Sequence, residues 1–116
     1  MGFDIYGLDP QTEKGDYFRN NVWYWRPLWS LVCHHCDDIL TEEEMEYGNW
    51  NDGKAIQAKT AIKIYKRLID KIDTIKDEIE EYEEQRKIEN GSHPASLDNV
   101  LEFIDFCKDS GGFTIH

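Results

Sequence analysis

At 116 residues the chain is long enough for one domain with a real core and too short for two, so residues 1–116 read as a single domain. Aromatic residues make up 13% of it, with 4 Trp, 6 Tyr and 5 Phe, which excludes a disordered acidic chain. The net charge of -11 repels phosphate backbones at long range, which argues against duplex nucleic acid and for a basic protein as partner.

In chain order, Phe3-Asp4-Ile5-Tyr6 alternates apolar and polar ahead of Gly7-Leu8-Asp9-Pro10 and reads as a short strand entering a turn. Residues 11–15 read as a polar loop. Pro27 suits the first turn of a helix and biases Arg26 toward extended geometry, so a helix is expected from about residue 27 to 40. Its core face would carry Trp25, Leu28, Trp29, Val32, Cys36, Ile39 and Leu40. Thr41 and Glu44 form a capping-box pattern and predict a short acidic helix through about Tyr47, closed by a turn over residues 48–53. Lys54-Ala55-Ile56 adds a short extended piece.

Residues 58–89 carry the clearest periodic signal. Ala58, Ala61, Tyr65, Leu68, Ile72, Ile75, Ile79 and Tyr82 recur at spacings of three and four, which predicts one long central helix. Ile62 and Ile69 widen its apolar face in the first half, and beyond Ile75 only a narrow stripe remains among glutamates. Residues 90–94 break the helix. Ser96 then caps a last helix over Leu97–Asp109, closed by Gly111-Gly112 and returning antiparallel along the long one. Phe113-Thr114-Ile115 is placed to pair with the N-terminal strand. The fold class is therefore mainly α (α+β), with an aromatic-rich N-terminal helix and a small strand pair from the two termini. The stripe through Ile72, Ile75, Ile79 and Tyr82 predicts a homodimer.

The N-terminal Met1-Gly2-Phe3-Asp4 lacks the pattern of a secretory signal, and no apolar run reaches the ~20 residues of a membrane helix. A cytoplasmic protein with no membrane partner is expected, its three cysteines outside any disulfide framework.

Arg19, Asn20, Asn21, Trp23, Tyr24, Trp25 and Arg26 lie in one short stretch. Aromatic faces stack on bases, arginine grips phosphate and asparagine reads base edges, so these residues have the chemical parts of a pocket for a nucleotide-like small molecule. The same tryptophans would also serve as core, with Arg19 and Arg26 pairing surplus acids. Cys33-His34-His35-Cys36 holds a C-x2-C pair, and with Cys107 and His116, or His93, it would make a tetrahedral zinc site. Buried free thiols are the alternative, because Cys36 falls on the core face. No catalytic arrangement appears: the cysteines precede Asp37 and Asp38, which disfavours a reactive thiolate, and no phosphate-cradling loop or Ser/His/Asp set is present. Residues 31–55 hold seven acids against one lysine, and Glu42, Glu43, Glu44 and Glu46 offer a surface for a basic host protein.

The Gly2-Phe3-Asp4-Ile5-Tyr6-Gly7-Leu8 opening, the Tyr17 to Trp29 block, Asn51-Asp52-Gly53 and the closing Ser110-Gly111-Gly112-Phe113 resemble a family of small phage and bacterial proteins without an established activity. Longer members carry a cysteine-rich C-x2-C-x-G-x-G insert, similar to a zinc knuckle, between the long helix and the last one. This chain has only residues 90–95 there, which removes that metal site. The resemblance implies a small acidic protein that occupies a host component. Counter-defence in the host cytoplasm is the corresponding expectation.

Overall fold

A computed structural model describes residues 2–88 and 96–116, with the backbone alone at 85–88. The expected helix break at 90–94 and the candidate ligand His93 lie outside the described residues.

Alternation decides the N-terminal strand. Phe3 and Ile5 are buried while Asp4 and Tyr6 face outward, the period-two pattern of a strand with one wet face. This strand, β1 (Gly2–Gly7), pairs antiparallel with β2 (Tyr17–Asn21), leaving a 3-10 turn at Glu13–Gly15 in the loop between them. On its other side β1 pairs with β4 (Gly112–Ile115), and β3 (Lys54–Gln57) completes a four-stranded sheet in the order β2-β1-β4-β3. The expected pairing of the two termini is present, with Ile5 opposite Ile115. It forms the centre of a larger sheet, because Tyr17–Asn21 is a strand as well.

The first helix, α1 (Val22–His35), starts a full turn earlier than Pro27 suggests. Asn21 caps it: the side-chain oxygen accepts from the backbone N–H groups of Trp23 at 3.0 Å and Tyr24 at 3.1 Å. Pro27 therefore lies inside the helix, and Arg26 is helical rather than extended. The cap and the burial of Trp25 outweigh the local bias of the residue before proline.

The acidic helix α2 (Glu42–Tyr47) has the expected capping box, Thr41 Oγ1 accepting from Glu44 N and Glu44 Oε1 from Thr41 N, both at 3.0 Å. Two indoles tie its far end to α1. Trp25 Nε1 donates to Gly48 O at 2.7 Å and Trp29 Nε1 to Met45 O at 2.8 Å, so carbonyls at the C-terminal end of α2 gain partners. Gly48 is needed for this approach, since a Cβ there would fall inside the Trp29 ring.

The long periodic segment is two helices, α3 (Ala58–Asp70) and α4 (Ile72–Ile88). Lys71, at φ -99° and ψ 13°, interrupts them. Nothing local marks the break, because lysine is an ordinary helix former. Beyond this break α4 lies beside α1 and α5, and its Ile75 and Ile79 are buried. The stripe expected to seek a second chain is thus covered within this one at its centre, with Ile72 and Tyr82 half-buried at its flanks.

The last helix, α5 (Leu97–Asp109), is capped by Ser96 as expected. It is followed by Gly111 and Gly112 at φ 66° and 90°, backbone that side-chain-bearing residues rarely adopt. Phe3, Ile5, Phe18, Ile56, Phe113 and Ile115 of the sheet meet α1, α3, α4 and α5 in one core. At its centre Trp25 stacks between Phe3 and Trp29, with ring centroids 5.5 and 5.4 Å apart, and Phe103 meets Trp25 edge-on at 5.9 Å. No helix among the described residues is long and apolar enough to cross a membrane.

Candidate functional site

The structure distributes the seven residues of the aromatic/Arg/Asn stretch over five places. Trp25 is core. Asn21 caps α1. Asn20 and Asn99 exchange two side-chain amide bonds, both 2.9 Å, which join β2 to α5. Arg19 lies on the outer face of the sheet and donates to Asp4 Oδ1 at 2.7 Å, where Tyr17 also donates at 2.5 Å. Those two bonds, Tyr17 first, hold the Asp4 carboxyl below the usual carboxylate range, and Asp4 in turn raises Tyr17 and Arg19. Trp23, Tyr24 and Arg26 remain exposed on α1.

Trp23 and Arg26 open onto a groove of about 680 Å³ between α1 and α4. Its apolar lining comes from Val22, Pro27, Leu31 and Ile79, and its aromatic lining from Trp23 and Tyr82. Arg26, Ser30, His34 and Glu78 are the polar groups. Residues 23, 27, 30 and 34 follow helical spacing, so α1 has a second face beside the one that carries Trp25, Leu28, Trp29 and Val32 into the core. The volume falls within the ~300–1,000 Å³ that holds a small organic ligand. Arg26 makes no hydrogen bond or ion pair with the described residues, whereas Arg19 is held by Asp4 and Arg67 by Asp38. Arg26 also borders a smaller groove of about 410 Å³ between α1 and α2, lined in part by Cys33 and Glu46.

The four residues of the proposed Cys3His zinc set are not gathered in one place. Cys36 and Cys107 are fully buried and Cys33 half-buried. Burial, with a contribution from Glu46, pushes the Cys33 thiol up to about 11, and burial pushes Cys36 up to about 12 and Cys107 well above the ordinary thiol range. His116 sits on the outer sheet face, its ring 5.3 Å from Tyr6 and its Nε2 3.0 Å from Thr114 Oγ1.

Among the described residues the grouping that could hold a metal is instead His34, His35 and Glu78, whose ligand atoms lie within 4.8 Å of one another. His35 Nε2 donates to Glu78 Oε1 at 2.7 Å across the α1–α4 contact. The two histidines stand inside the very C-x2-C motif that drew attention to the cysteines, but their third partner lies 43 residues further on. No local spacing reports it.

On α2, Glu42, Glu43 and Glu46 are exposed, while Glu44 is half-buried in the capping box. Compared with known protein families, with characterised proteins and with solved structures, the chain shows no match to any.

Proposed function

We propose that the protein is a non-enzymatic, phage-type binding protein of the cytoplasm. It sequesters a nucleotide-like small molecule, in keeping with removal of a host defence signal, in the groove between α1 and α4. The observation that carries this reading is Arg26, a cation without a partner among the described residues in a chain of net charge -11, standing beside Trp23 at a groove of ligand size. A planar base suits the aromatic and apolar lining, and the guanidinium suits a phosphate.

A titration of a nucleotide panel, followed by tryptophan fluorescence, tests it. At least one nucleotide should bind, and Trp23→Ala and Arg26→Ala should each weaken it by about tenfold or more. Arg19→Ala, which removes the ion pair on the outer sheet face, should leave the affinity unchanged. If no nucleotide binds, or if only Arg19→Ala matters, the reading fails.

A second reading has support in the exposed carboxylates of Glu42, Glu43 and Glu46, none of which is ion-paired among the described residues. Here the protein is an acidic inhibitor that occupies a basic site on a host protein. Reversing those three charges while sparing Glu44, whose side chain closes the cap of α2, removes a host partner from a pull-down under this reading. Under the first reading it leaves the nucleotide titration intact.

A further inference from the structure

We propose that His34, His35 and Glu78 bind one divalent cation of the zinc class at the end of the α1–α4 groove. The inference stands on geometry that the nucleotide reading does not use. A tetrahedral zinc with bonds of ~2.0–2.1 Å holds its ligand atoms roughly 3.3 Å apart. The three ligand atoms here lie within 4.8 Å of one another, near that spacing before any metal is bound. Two imidazole nitrogens and one carboxylate oxygen form a donor set that prefers zinc, cobalt or nickel to magnesium or calcium. Three protein ligands leave the fourth position open, and it faces the groove, since His34 and Glu78 both line that space.

The surroundings hold these ligands in place. Arg67 Nη1 donates to the backbone carbonyl of His35 at 2.7 Å, and the same guanidinium grips Asp38 with bonds of 2.6 and 2.8 Å, so the end of α1 is pinned to α3. The His35 side chain is only 10% exposed and already faces Glu78. His34 separates a metal site from a simple His–Glu hydrogen bond. Its ring lies 5.0 Å from that of His35 at an interplanar angle of 79°, and it makes no hydrogen bond with the described residues. A plain His35–Glu78 bond has no use for it.

The test is calorimetric titration of the chelator-treated full chain with zinc alone, alongside the visible spectrum of its cobalt form. One equivalent should bind. His34→Ala should weaken binding by about tenfold or more, and so should Glu78→Gln, which keeps a hydrogen-bond partner for His35. Cys33→Ser should change nothing. The cobalt form should show tetrahedral bands in the visible and no thiolate charge-transfer band in the near ultraviolet. Circular dichroism melts establish that each variant is folded, and the cobalt spectrum of the unaltered protein stands without them. Absence of saturable one-equivalent binding, an unchanged affinity in His34→Ala, or a thiolate band would each overturn the proposal. Because the probe is the metal alone, such a failure leaves the nucleotide reading untouched.

Discussion

Arg19, Arg26 and Arg67 have different partners, and the difference comes from what each faces. Arg19 follows the strand alternation onto the outer sheet face and meets Asp4; Arg67 reaches across from α3 to the end of α1 and meets Asp38. Arg26 projects from the groove face of α1 and meets neither. The bidentate Arg67 bonds lower the Asp38 carboxyl from its usual 3.8 to about 2, and Asp38 raises Arg67 in return. A carboxyl lowered in the folded state contributes stability that is present above about pH 4 and is lost as pH falls from there toward 2. In Arg67→Ala, the Asp38 midpoint followed by NMR should therefore move up toward 3.8, and the acid-side loss of stability should begin to flatten. A midpoint that stayed near 2 would show that something other than Arg67 holds the charge.

Among the elements, α1 shows how a single side chain outweighs a stronger-looking signal. Pro27 marks a helix start in the sequence, but the start belongs to Asn21, whose side chain takes up two backbone N–H groups of the first turn. That cap puts Trp23, Arg26, Ser30 and His34 along one face and opens the groove. Asn21→Ala should cost about 1 kcal/mol of stability, seen as a lower Tm, while Asn21→Asp should cost much less, because aspartate caps as well as asparagine. Equal losses in the two variants would place the effect elsewhere, for instance in the β1–β2 register that Asn21 also shares. In α3 and α4 the missed feature was a break. Periodicity placed Ile75 and Ile79 on the apolar face correctly, but it runs on through Lys71 without registering the break there.

For the whole molecule, the two ends of the chain form the middle of the sheet. β1 and β4 are the central strands, and Phe113 and Ile115 are fully buried beneath the helices. Removing Gly112–Ile115 and His116 would leave β3 without its one strand neighbour and β1 with only β2. Such a truncation should abolish the cooperative thermal transition seen by circular dichroism, rather than merely lower its midpoint. A truncated chain that still melted cooperatively near the full-length temperature would mean the helical layer is stable alone. Of the stripe that predicted a homodimer, Ile75 and Ile79 are buried within the chain, while Ile72 and Tyr82 stay half-buried.

Patterns confined to neighbouring residues were decided by the sequence itself: the alternation of β1, the capping box of α2, the Ser96 cap and the Leu97–Asp109 helix, and the aromatic core face of α1. Each rests on contacts between residues a few positions apart, or on a period that the chain repeats several times. The candidate site was of another kind. Adjacency in sequence grouped the seven candidate residues between Arg19 and Arg26, but a strand followed by a helix turns their side chains to different sides of the molecule, and of the seven only Trp23 and Arg26 reach the groove. Its other wall, with Glu78 and Tyr82, comes from more than forty residues away, beyond the break at Lys71. Pairings at that separation depend on how the layers pack, and packing is a property of the folded chain.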